Sequence, residues 1–180
     1  MHSCAQLVAT YIRAKDSNRP HLMKAAFAED ASLEMVVKAG TISFPPLSTG
    51  LDSITEVLVR RFGQTFENVY TVCLSSPPTS DRSDFSCAWL VGMSEKEGGV
   101  VRVGAGRYDW SFRDGLVNRL KITIELMQVL PPSALRPVMI WLSKLPYPWC
   151  SIETVARTLP HLNGLEAVAN HLHEMEREDA

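Results

Sequence analysis

Residues 106–126, GRYDWSFRDGLVNRLKITIEL, contain two runs of alternating apolar and polar residues on either side of an Arg-Asp-Gly turn. Period-two alternation broken by a short Asp-Gly turn is the pattern of a β-hairpin. Strand parity then sorts the side chains. Tyr108, Trp110 and Phe112 share one face, and Arg107, Asp109 and Ser111 share the other. A charge buried without a partner is costly, so the aromatic set is the inward one and Asp109 points outward.

The same alternation extends N-terminally. ENVYTVCLS and FSCAWLVGM read as strands, SEKEGG as a hairpin turn, and VVRVGAGRYDWSF as the first long arm of the closing hairpin. By parity, Trp89, Val91 and Met93 face inward with Leu120, Ile122 and Ile124, joined by Leu33 and Met35 from an earlier strand, ASLEMVV. Within this run GAG, residues 104–106, suits a bend or bulge rather than a phosphate loop.

Ahead of the strands the period is helical. CAQLVATYIRAK places Cys4, Val8, Tyr11, Ile12 and Lys15 near one another. A second helix, PHLMKAAFAED, is expected to begin at Pro20, with Asp30 in the turn that leaves it. A third, LDSITEVLVRRFG, is expected to be capped by Thr49 and ended by Gly63, with Leu58 and Phe62 on its inner face. Helices followed by a meander of strands imply an α+β domain over residues 1–130. Beyond Pro131, three amphipathic segments form a C-terminal helical extension, residues 131–180, that docks on the core or on a partner subunit.

Composition narrows the function. Of 180 residues, 18 are Lys or Arg and 20 are Asp or Glu, a net charge of -2, so no basic field recruits nucleic acid or an anionic membrane. The apolar runs are too short to span a bilayer, and the N-terminus lacks signal-peptide features, so a cytoplasmic location is expected. The four cysteines form no metal or redox spacing and read as free core residues. The five histidines avoid residues 22–160, His21 reads as a surface residue, and the HLHE of the last helix reads as a solvated face. Neither a metal nor a cofactor is expected.

The order of these pieces resembles the nuclear transport factor two-like superfamily, which includes ketosteroid isomerases and polyketide cyclases. FAEDASLEM, the TG before the third helix, and the G.Y.W.F..G.V pattern of the closing hairpin carry the resemblance, over residues 5–130. It implies a cone, a curved antiparallel sheet wrapped around N-terminal helices, with an apolar pocket inside and a homodimer built through the outer sheet face. In the ketosteroid isomerase pattern, the oxyanion-hole tyrosine matches Tyr11, the acid falls at Tyr108 and the general base falls at Met35. A thioether takes no proton, so isomerisation by that route is not expected.

Two readings follow. One is a pocket for a small hydrophobic ligand, lined by Tyr11, Met35, Leu58, Phe62, Trp89, Tyr108, Trp110 and Ile122. Tyr11 and Tyr108 would polarise a carbonyl oxygen if the protein acts as a cofactor-free isomerase, cyclase or dehydratase. The other is a non-catalytic dimeric module whose pocket is plugged by its own side chains, Met35, Phe62, Trp89, Met93, Trp110 and Phe112, with Trp141 and Trp149 possible caps over the mouth.

Overall fold

The computed structural model describes residues 2–178. Its first helix, α1 (Cys4–Asp16), starts on a capping box: the Ser3 hydroxyl accepts from the Gln6 backbone N–H, and the Gln6 side chain accepts from that of Ser3. One face of α1 is fully covered and comprises Cys4, Leu7, Val8, Tyr11, Ile12 and, at the same spacing, Lys15. The second helix is shorter than its composition predicts. It is a 3-10 turn, Pro20–Ala25, and strand β1 (Phe27–Val37) takes over at once. Ala and Glu favour a helix here, but the backbone of this segment is claimed by β6: the Val117 N–H donates to the Ala26 carbonyl. Asp30 therefore lies in a strand rather than a turn, with its carboxylate 2.8 Å from Arg113.

The third helix is also rebuilt. Gly50, at φ 91°, occupies the cap position expected of Thr49, and its N–H donates to the Ala31 carbonyl. That backbone conformation suits glycine. Three pieces follow without a break: α2 (Leu51–Thr55), a wider π segment (Glu56–Arg61) and α3 (Phe62–Thr65). Gly63 does not end it. A Cβ there would meet the Asn18 side chain at 2.8 Å, so this glycine permits close approach to the end of α1.

Six strands form one curved sheet in the order β2-β1-β6-β5-β4-β3, the others being β2 (Leu47–Thr49), β3 (Phe66–Cys73), β4 (Asp84–Glu95), β5 (Val101–Arg113) and β6 (Leu116–Leu130). The sheet is mixed: β1 runs parallel to β6, and every other pair is antiparallel. The closing hairpin turns on Asp114 and Gly115, both at positive φ. Tyr108, Trp110 and Phe112 lie on the inner face with Trp89, Val91, Met93, Leu120, Ile122 and Ile124.

Two residues of β6 break the alternation. Asn118 is passed over where Ser111 pairs with Arg119 and Phe112 with Val117, so Val117 and Leu120 both face inward. Gly106 pairs with Ile124 but Ala105 pairs with Leu126, so Glu125 is an extra residue bulged between them. Ile124 and Met127 therefore both face inward, while Leu126 and Leu130 turn outward. Gly106 permits the bend, because a Cβ would collide with the Thr123 carbonyl and lie 2.7 Å from the Trp89 ring.

Residues after Leu130 form α4 (Leu135–Leu142), α5 (Ile152–Thr158) and α6 (Glu166–Glu178), which pack on the outer face of the sheet. There Val72, Leu74, Leu90, Val101, Val103 and Leu130 make a second apolar core with Val138, Trp141, Leu142, Leu165, Val168 and Leu172. Gly92 receives Leu142 directly, with no room for a side chain. Trp141 is buried there, its indole N–H donating to Thr158, and Trp149 packs edge-on against Phe85. The other half of the outer face is polar and open, with ion pairs Arg107–Asp109, Arg119–Glu34 and Arg113–Asp30. Only this half is uncovered on the face assigned by resemblance to a homodimer. No helix among the described residues is long and apolar enough to cross a membrane.

Candidate functional site

Between the inner sheet face and the helices lies a cavity of ≈ 50 Å³. Its walls are Tyr11 and Lys15 of α1, Met35 of β1, Leu58 and Phe62 of the third helix, and Trp89, Tyr108, Ile122, Ile124 and Met127 of the sheet. Ile42 and Phe44 close it from the irregular segment between β1 and β2. That segment is anchored by the Thr41 hydroxyl, which donates to the Met127 carbonyl at 2.8 Å. Of the eight residues that parity and resemblance put at the pocket, seven line this cavity. Trp110 does not. Its ring is fully buried behind the wall, 5.4 Å from that of Tyr11 and 6.4 Å from that of Phe27.

The polar groups of the wall are two phenols, the Thr71 hydroxyl, the Trp89 indole and the Lys15 ammonium. Tyr11 and Tyr108 meet edge to face, ring centroids 6.0 Å apart. Burial pushes both phenols well above their ordinary range, so each stays protonated at neutral pH. Trp89 is 4 % exposed, and its indole Nε1–H has no partner. Such an orphan donor costs ~1–3 kcal/mol. Lys15 Nζ lies 2.8 Å from Asp16 Oδ1 and donates to the Thr71 hydroxyl at 2.7 Å. No carboxylate or imidazole lines the cavity among the described residues, and Met35 stands where the resemblance places a base.

Sequence reasoning missed the charged pair. Its signal was the spacing of Lys15, four residues after Tyr11 on the apolar face of α1, where a lysine needs a buried partner. Asp16, next in sequence, supplies it. Thr71 and Tyr147, which complete the network around Asp16, carry no comparable signal, because they arrive from β3 and from the loop between α4 and α5.

No family model and no curated protein sequence matches the chain. Solved structures do match. An NTF2-like protein from Burkholderia thailandensis superposes with a TM-score of 0.53 at 17% identity, covering 69% of this chain and 92% of that one. A protein described as having a ketosteroid isomerase-like fold, from Catenulispora acidiphila and in complex with trimethylamine, gives 0.52 at 15%, covering 67% and 85%. An NTF2-like superfamily protein from Salmonella enterica gives 0.51 at 16%, covering 66% and 85%. The curved sheet wrapped around N-terminal helices is what these structures share with the chain. The fold is that of the nuclear transport factor two-like superfamily.

Proposed function

We propose that this protein binds a small, uncharged, mostly apolar molecule carrying one hydrogen-bond acceptor, such as a carbonyl oxygen, inside the cone. The unpartnered Trp89 indole N–H, on a residue of the mostly apolar cavity wall, is the observation that carries this reading. An acceptor placed there would satisfy it, and two protonated phenols would orient the rest. Net charge argues for a neutral ligand, because the one cation of the wall is already matched by Asp16. With Met35 in place of a base, binding and polarisation are supported better than proton shuttling. A cofactor-free reaction on a carbonyl compound would rest on Tyr11 and Tyr108 as donors to its oxygen.

The rival, a plugged pocket in a structural module, draws on the cavity volume. A dry engineered cavity of ~150 Å³ holds benzene, and this one is a third of that. Met35, Met93 and Met127 on its wall are unbranched and flexible, so the space can enlarge by rotamer changes. The test is a titration with cyclopentanone, read by tryptophan fluorescence and by the methyl NMR signals of these three methionines. Saturable shifts are expected. A protein whose cavity methyls do not respond is a plugged module.

A further inference from the structure

The ion pair at the cavity wall is built more elaborately than burial requires. The Lys15 side chain is 8% exposed and that of Asp16 3%. Both Asp16 oxygens are fully occupied. Oδ1 accepts from Lys15 and from the Thr71 hydroxyl at 2.8 Å each. Oδ2 accepts from the Thr71 backbone N–H at 2.7 Å and from the Tyr147 hydroxyl at 2.9 Å. The Tyr147 segment is itself fastened to β3: Cys73 N–H donates to the Pro148 carbonyl and Cys150 N–H to the Cys73 carbonyl. Tyr147 is 47% exposed, and its phenol, raised by partial burial and by the charge of Asp16, is protonated at neutral pH and donates.

Lys15 has three N–H groups. Asp16 and Thr71 take two, and the third has no oxygen partner, with Nζ 4.8 Å from the centroid of Phe62, another wall residue. A buried ion pair is poor as a mere fastener, since well-packed apolar residues often serve equally or better. Its placement at a cavity wall needs another reason.

We propose that Lys15 is a ligand-facing donor of the cavity and that Tyr147, carried by the C-terminal extension, is the positioning residue that holds it there through Asp16. The extension then belongs to the site, although it touches no ligand. A neutral acceptor entering the cavity takes the third N–H, and Asp16, saturated and turned away, offers the ligand nothing. This inference rests on the binding reading above.

The test uses the full chain labelled with 15N-lysine, cyclopentanone as probe, and methylenecyclopentane as the isostere without an acceptor. The Lys15 ammonium, assigned by its loss in Lys15→Arg, is expected as a slowly exchanging signal that cyclopentanone shifts and methylenecyclopentane leaves in place. Tyr147→Phe removes one hydroxyl. It should speed ammonium exchange at Lys15 and weaken cyclopentanone severalfold, with a ceiling of about tenfold set by one hydrogen bond involving a charged group. Lys15→Met should weaken it at least as much. Wild-type exchange and affinity in Tyr147→Phe, with only a lower melting temperature, would make the network a clamp and overturn the proposal, as would wild-type affinity in Lys15→Met. If the wild type binds no cyclopentanone, the binding reading itself fails. An unchanged Lys15 exchange rate in Tyr147→Phe would then separately dispose of the positioning role.

Discussion

The inner and outer faces of the sheet are built on the same six strands but are covered differently. Outside, helices of the extension press onto β3, β4 and β5 until a glycine, Gly92, is needed to admit Leu142. Inside, large aromatics crowd one end, yet a cavity persists beside them with an orphan donor and an ion pair on its wall. At Gly92 the outer face is packed with no space for a side chain. The inner face instead keeps an unpartnered indole N–H on a residue beside open space, an arrangement with a cost that the proposed ligand would relieve.

Removing the outer cover should have the largest effect. Deleting residues 131–180 exposes Val72, Leu74, Leu90, Val101 and Val103 together, and aggregation measured by light scattering is expected. A protein that stays monodisperse would mean the second core is dispensable. Next in size, Leu142→Ala empties the contact over Gly92 and should cost ~2–5 kcal/mol in denaturant unfolding. On the inner face, Trp89→Phe should cost less stability than Leu142→Ala, because it also removes the orphan donor. It should narrow the preference for cyclopentanone over methylenecyclopentane, with the Lys15 ammonium left to supply the remainder. Equal losses of stability in the two variants would collapse the distinction between the faces.

The smallest effect belongs to the open, charged half of the outer face. Burial acts to raise the Asp109 carboxyl, but the bonds from the Ser86 hydroxyl and the Arg107 guanidinium outweigh it, and the group is held below the ordinary carboxylate range. A depressed folded value contributes stability above the unfolded value of about 3.9 and loses it as pH falls through the folded one. Asp109→Asn should therefore flatten the acid limb of the stability curve below about pH 4. The change should stay under about 1 kcal/mol for so exposed a pair. A larger loss would show that this half is engaged by something other than solvent.

How much of this was legible in the sequence follows from the range of the forces involved. Parity along β4, β5 and residues 119–124 of β6 is a local property, and it sorted Tyr108 and Asp109 to opposite faces without further information. The GAG bend was legible for the same reason. The start of β1 was not, because Ala25, Ala26 and Glu29 favour a helix and the hydrogen bonds that draw this segment into the sheet come from Val117, ninety residues away. Trp110 was assigned to the right face but not to the right depth, since parity says nothing about which inward residue stands behind another. Lys15 was visible on the apolar stripe of α1. Its meaning depended on Thr71 and Tyr147, whose approach only the fold reveals.

The bulge at Glu125 has one further consequence. Because of that single extra residue, β6 gives Leu120, Ile122 and Ile124 to the cone, then Leu126 and Leu130 to the helices outside. His171 of α6 rests 3.3 Å from the bulged carboxylate itself. Neither core can melt without disturbing a strand that the other depends on. The cone and its extension should therefore unfold in one cooperative transition, with near-ultraviolet dichroism and amide exchange in α6 reporting the same midpoint.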